Sequence, residues 1–377
     1  MGIDAHKRFC QATVMNKGGE IMEKKKFLTT KEELEEFVRG RKDIVAVVEA
    51  STSGMVVYDW LDEIGVNTKM AHPLKVKAIA SAKIKTDDID SRILADLLRG
   101  NLIPEAYVPP IEIRDVRGLV RHRTALVAVR TSIKNKIHAI LAIEGINLGF
   151  SDLFGRAGRE LLKTVKLREY NRVAVDNFLE VLDLLEKKII GVSKRVDEEA
   201  GKRDNKDVEK LMEKFPGLGR YTALLIVTEI GDIKRFSNHK KLCSYAGLAP
   251  STYSSGGITR HGRITKQGNK LLRWALIQAA WRVMKRDDKL GSFYLKLAEK
   301  KPKSVAVTAV AAKLLKYIYF TLMEINGNTR VFSWSGCELR KGRQNDWVFP
   351  ITKVILFSMF SIENEQMNVD KHENIVI

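Results

Sequence analysis

Ile44-Val45-Ala46-Val47-Val48-Glu49 is an apolar, mostly β-branched run that closes on a carboxylate. Bounded by charges, it reads as a central strand buried on both faces, with Glu49 at its C-terminal edge. Toward the N-terminus, Gly2 to Met15 and Gly19 to Phe27 flank the turn Asn16-Lys17-Gly18 and predict a hairpin. Thr30 is placed as the N-cap of a following helix, with Glu33 three residues on in capping-box position. Toward the C-terminus, a helix over 55–64, a strand over 67–71 and a helix over 75–82 continue an α/β alternation.

A hairpin followed by strands alternating with helices suits a ribonuclease-H-like sheet better than a Rossmann fold, and no G-x-G-x-x-G turn opens the first helix. Four carboxylates mark this domain. Asp4 interrupts the apolar texture of the first strand, Glu49 ends the central one, and Asp87 and Asp90 begin a helix that runs on through Ile93, Leu94, Leu97 and Leu98. Three residues apart, Asp87 and Asp90 share a helix face, whereas Asp88 turns about 100° away. Acids gathered at strand ends and a helix start suit hard, oxygen-seeking cations, with two Mg²⁺ roughly 4 Å apart on a phosphodiester as the standard use. Taken singly, a helix-start aspartate is equally a cap or a macrodipole partner.

The whole chain has 377 residues with 65 Lys or Arg against 46 Asp or Glu, a formal charge of +19. Such a balance points to a polyanion, nucleic acid first. Three cysteines, Cys10, Cys243 and Cys337, stand in no metal-ligand spacing, which fits a reducing cytoplasm. The N-terminal stretch lacks the apolar core of a signal peptide, and His6 stands where a myristoylation signal needs Ser or Thr. No membrane span is expected, and the expected location is cytoplasmic and nucleoid-associated.

The positive charge is concentrated. Arg114, Arg117, Arg121, Arg123, Arg130, Lys134 and Lys136 lie on one helical stretch against only Glu112 and Asp115, an imbalance that favours phosphate contact. From Gly256 to Lys303, thirteen bases, including Arg260, Arg263, Lys266, Lys270 and Arg273, face three acids. Between these regions, Phe178, Leu182, Leu185, Ile189, Val192 and Val196 keep a coiled-coil spacing, read as either an intramolecular helical hairpin or a dimer seam. Phe215-Pro216-Gly217-Leu218-Gly219-Arg220 is either a helix-hairpin-helix, in which Gly217 and Gly219 open backbone N–H groups to phosphate, or an ordinary helix-helix turn. The Gly/Ser-rich segment from Gly247 to Gly268 is expected to be a loop. A serine in it could attack a phosphodiester held by arginines, and no local His or Asp completes a hydrolase triad.

Together these pieces resemble one family, the two-part transposases of bacterial and archaeal insertion sequences (insertion-sequence family one-ten), which are bridge-RNA-guided recombinases. The first block rests on Gly2-Ile3-Asp4 with Lys7, on Val48-Glu49-Ala50-Ser51-Thr52-Ser53-Gly54, and on Lys85-Thr86-Asp87-Asp88-Ile89-Asp90 followed by Ala95. The second rests on Pro216-Gly217-Leu218-Gly219, Phe236-Ser237, Tyr245-Ala246-Gly247-Leu248-Ala249-Pro250, Ser255-Gly256 and Lys266-Gln267-Gly268-Asn269. The resemblance implies a RuvC-like domain whose DEDD tetrad, Asp4, Glu49, Asp87 and Asp90, binds Mg²⁺. It also implies a nucleophilic serine, Ser255 with Ser254 as the fallback, that forms a phosphoserine link to DNA. It further implies a guide RNA that selects the DNA of element ends and target, and a homodimer or homotetramer in which different protomers supply the two sites.

The expected plan is therefore α/β plus α. Residues 1–148 form a RuvC-like DEDD domain with a basic helical extension, and 149–204 a coiled-coil connector. Residues 205–325 form a mostly helical transposase domain with the serine loop, and 326–377 a tail of unassigned role. The expected function is that of a DNA transposase and recombinase. Two alternatives remain: a metal-dependent junction-resolving endonuclease that uses the tetrad and water, and a non-catalytic nucleic-acid-binding protein.

Overall fold

A computed structural model describes residues 1–41, 43–80, 86–149, 152–202, 205–255, 258–325 and 327. The chain divides into two units, Met1–Pro110 and Ile111–Ile377.

The first unit contains β1 (Gly2–Ala5), β2 (Phe9–Met15), β3 (Ile21–Leu28), α1 (Lys31–Val38), β4 (Val45–Glu49), α2 (Thr52–Glu63), β5 (Asn67–Ala71), α3 (Pro73–Ile79) and α4 (Asp87–Arg99). Its five strands are ordered β3-β2-β1-β4-β5. Strands β1, β2 and β3 pair antiparallel, while β1–β4 and β4–β5 pair parallel. Ala46, Val47 and Val48 are fully buried, as a central strand covered on both faces requires. One expectation is corrected: Gly2 to Met15 is two strands, because the polar triplet His6-Lys7-Arg8 reverses the chain and the His6 N–H donates to the Phe9 carbonyl at 3.0 Å. The outer strand β3 alternates exposed Lys24 and Lys26 with half-buried Glu23 and Lys25 and so meets water on its free edge.

Thr30 caps α1 as expected, its hydroxyl accepting from the Glu33 N–H, and Thr86 caps α4 through the Ile89 N–H. Helix α4 lies against β1 closely enough that a Cβ on Gly2 would meet the Ser91 carbonyl at 2.3 Å and the Ala95 nitrogen at 2.5 Å. Only glycine allows that approach. A buried hydrogen bond between Thr13 and Ser91 hydroxyls, 2.8 Å long, pins the same helix to β2. These contacts fix where the α4 N-terminus, with Asp87 and Asp90, meets the sheet.

The second unit contains α5 (Ile111–Ile143), α6 (Arg156–Thr164), α7 (Glu169–Ala200), α8 (Lys206–Lys214), α9 (Arg220–Ile230), α10 (His239–Tyr245), β6 (Pro250–Ser255), β7 (Ile258–Ile264), α11 (Lys270–Val283), α12 (Asp288–Ala298) and α13 (Lys303–Ile325). Helix α5 packs on α7 and α9 and lies in the second unit. Ile133, Ile137 and Leu141 of α5 share a cluster with Val175, Leu179 and Leu182 of α7, and Val120 shares another with Val196 and Ala200. The two helices therefore run antiparallel, and the heptad-spaced face of α7 is covered within the chain. Val129 of α5 is 48% exposed.

Among the described residues, α13 is the one helix long and apolar enough to cross a membrane. It is also the spine of the second core: Ala306, Val307, Val310, Ala311, Leu314, Leu315 and Ile318 are buried against α10, α11 and α12. Its apolar character is thus used by the fold. The segment expected to be a loop over 247–268 is corrected to a β-hairpin, β6–β7, paired from Pro250 with Ile264 to Ser255 with Ile258. The tail from 328 onward lies outside the described residues.

Candidate functional site

Strand register assembles the first site. Gly2 lies beside Val47 and Ile3 beside Val48, so the next step along the parallel pair sets Asp4 beside Glu49 on one face of the sheet. Helix α4 lies over that face at Gly2, and its first turn carries Asp87 and Asp90. The His6 Nε2 stands 3.1 Å from Asp4 Oδ2 and 3.2 Å from Asp87 Oδ1. One ligand atom from each of Asp4, His6 and Asp87 falls within 4.8 Å of the others. Asp88 is turned away, with Lys24 at 2.6 Å.

Burial pushes the Asp4 carboxyl above its ordinary value; His6 works against this, while the negative charges of Asp90 and Asp87 reinforce it. Carboxylates that repel one another, set beside a nitrogen donor, form a donor set suited to a divalent cation. The residues present fit such an ion. His6 was absent from the sequence reading of the site, although its two-residue offset from Asp4 is the spacing that keeps neighbouring strand residues on one face.

The second site is the β6–β7 hairpin. Thr252, Tyr253, Ser254 and Ser255 are all exposed, and Ser255 is the last paired residue of β6. Successive strand residues alternate faces, so Ser254 and Ser255 point to opposite sides, and Ser255 shares its side with Tyr253. Arg263, Lys266 and Lys270 nearby in sequence are exposed. Arg273 is half-buried and donates to the Ala246 carbonyl at 3.1 Å, while Arg260 lies on β7 opposite Tyr253. In the helix-hairpin-helix segment, α8 and α9 are joined by a five-residue turn in which Gly217 adopts a φ of +98°. Gly219 occupies the N-cap of α9 with no side chain capping it.

The basic face expected on α5 is largely used inside the second unit. Arg117 donates from Nε at 2.9 Å to the Thr228 carbonyl, and Arg121 forms a two-pronged pair with Glu229 at 2.7 and 2.9 Å. Arg123 stacks on Tyr221 and donates to Ser193, Lys134 lies over Phe154, and Lys136 lies over Phe178. Arg114 and Arg130 are half-buried. Arg117 has 14% of its side chain exposed.

Glu229, unremarked in the sequence, is the hub of this network. Its side chain is 1% exposed and also accepts from Asn269 Nδ2 at 2.7 Å, while the Tyr245 hydroxyl donates to its carbonyl. Burial pushes the Glu229 carboxyl up, but the bonds from Arg121 and Asn269 and the charges of Arg121 and Arg117 outweigh it and hold it below the ordinary range. Tyr245 and Asn269 flank the β6–β7 hairpin in sequence, and the Asn269 N–H donates to the Tyr245 carbonyl at 2.8 Å. The network therefore clamps the base from which the hairpin projects.

A carboxylate-lined sheet edge in one unit and a basic helical unit in the other are the features of a DNA-processing enzyme. Residues 1–144 match the DEDD transposase domain of the IS110 type, and residues 209–295 match the Transposase IS116/IS110/IS902 family. The chain belongs to this family of insertion-sequence transposases. It is 24% identical over 287 residues to the transposase for insertion sequence element IS1111A of Coxiella burnetii, covering 73% of this chain and 77% of that one. It is 24% identical over 290 residues to the transposase for IS1328 of Yersinia enterocolitica, covering 76% and 84%.

Proposed function

We propose that the protein exchanges DNA strands with a metal-binding tetrad, Asp4, Glu49, Asp87 and Asp90, in a RuvC-like first unit and with Ser255 as nucleophile in the second. The observation that carries this reading is the meeting of Asp4 and Asp87 at one point, within range of the Asp90 charge. The sheet order β3-β2-β1-β4-β5, with its first three strands antiparallel and the rest parallel, supports the ribonuclease-H-like reading. When bound, Mg²⁺ would neutralise charge developing on the phosphoryl oxygens. Asp4 and Asp87 would hold the ion from a strand and a helix fixed to each other at Gly2. Ser255 Oγ forms a bond to phosphorus as a sugar oxygen leaves, and the serine proton ends, in net balance, on that oxygen.

Exposed Arg263, Lys266 and Lys270 supply phosphate contacts beside the hairpin. A guide RNA that selects element ends and target by base pairing, and a homodimer or homotetramer, complete the proposal. The test is a denaturing gel of the protein incubated with element-end DNA, the element's flanking RNA and Mg²⁺. Wild type and Ser254→Ala give a covalent protein–DNA band, and Ser255→Ala gives none. An adduct that persists in Ser255→Ala removes the nucleophile assignment, and cleaved DNA without any adduct identifies a water-using nuclease instead.

A further inference from the structure

The His6 side chain is oriented by more than its two carboxylate contacts. Its ring lies 4.9 Å from that of Phe9, its N–H donates to the Phe9 carbonyl, and its own carbonyl accepts from the Thr29 hydroxyl at 2.8 Å. Backbone and ring are thus held on both sides of the turn after β1, and Nε2 is left facing Asp4 and Asp87. A side chain whose backbone and ring are both held by neighbours is preorganised in one orientation, as a ligand must be. The spacing agrees: neighbouring donors on an octahedral ion bound at about 2.1 Å stand about 3.0 Å apart, and the nitrogen–oxygen separations here are 3.1 and 3.2 Å. With 43% of its side chain exposed, His6 also leaves one side open for water or phosphate.

We propose that His6 is a ligand of the metal site, bound through Nε2, so that the site is a mixed nitrogen and carboxylate site rather than an all-oxygen one. The inference rests on the proposed carboxylate site and adds to it both a ligand and a metal preference. An imidazole nitrogen favours Mn²⁺ over Mg²⁺, which prefers oxygen and gives up its water reluctantly. Coordination requires the Nε2 lone pair, with the ring proton on Nδ1.

The experiment is electron spin-echo spectroscopy of Mn²⁺ added substoichiometrically to the full chain, with binding isotherms for Mn²⁺ and Mg²⁺ alongside. Wild type is expected to show ¹⁴N modulation from one imidazole. His6→Ala and His6→Asn, confirmed as folded by their melting curves, are expected to bind Mn²⁺ without that modulation. Their Mn²⁺ affinity is expected to fall about 10- to 100-fold, and their Mg²⁺ affinity less. Stoichiometric Mn²⁺ without ¹⁴N modulation in wild type, or modulation that survives in both variants, overturns the ligand while leaving the carboxylate site standing. Failure of wild type to bind either ion, with Asp4→Asn indistinguishable from it, overturns the carboxylate site as well.

Discussion

Asp4→Asn is expected to lower metal-dependent DNA cleavage at least about 100-fold and at the same time to raise the melting temperature of the metal-free protein. Both effects come from one carboxyl. Burial holds Asp4 above its ordinary value, with His6 opposing and the Asp90 and Asp87 charges reinforcing. A carboxyl raised in this way contributes stability that is fully present below its unfolded value and is lost as pH rises through its folded value. Near neutral pH the ionised site therefore works against folding, and removing one charge relieves it. A divalent cation relieves it too, so Mg²⁺ or Mn²⁺ should raise the melting temperature of wild type by mass action and leave Asp4→Asn almost unmoved. Calorimetry with and without metal checks both halves. An Asp4→Asn protein less stable than wild type without metal would contradict the electrostatic account.

Glu229→Ala is expected to destabilise the second unit by about 2–3 kcal/mol, because it removes charge-assisted hydrogen bonds from half-exposed Arg121 and leaves partly buried Asn269 without an acceptor. For a unit of this size that is a fall in melting temperature on the order of 10 °C. Arg117 and Arg121 lose their counter-charge and Asn269 loses an acceptor in one step. The pH dependence has the opposite sign to that of Asp4. The net depression of the Glu229 value means its contribution is present above the ordinary carboxyl range and is lost as pH falls through the folded value. Wild type should therefore lose part of its stability below about pH 4, and Glu229→Ala should lose less over the same window. Because the hub also anchors Tyr245 and Asn269, adduct formation should fall together with stability. Chemical denaturation at pH 7 and at about pH 3 separates the two variables.

The first unit was legible where chain chemistry is local. The buried run ending at Glu49, the Thr30 cap and the Asp87–Asp90 face all depend on neighbours a few residues apart. The partners of the α5 arginines could not be read locally because they lie far along the chain: Arg121 meets Glu229 after 108 residues and Arg117 meets the Thr228 carbonyl after 111. A count of charge on one helix cannot include a partner on another. The hairpin over 250–264 was read as a loop for a different reason. Its exposed strand β6 has no apolar alternation to reveal a period of two, since its pairing is backbone to backbone with little core beneath. His6 escaped because the turn that brings it back over Asp4 lies between two strands that the sequence presents as one.

The pairing of β6 with β7 also sets a parity rule for the serine. Which hydroxyl faces the Tyr253 side is set within the regular pairing of Thr252 to Ser255, beyond the register irregularity between Pro250 and Thr252, because strand side chains alternate there. Removing one residue from β6 would exchange the roles of Ser254 and Ser255 without altering either. Removing two would restore the side but draw the serine back by about 7 Å toward the base of the hairpin. The number of residues between Thr252 and Ser255 is therefore the constrained variable in any redesign of this element.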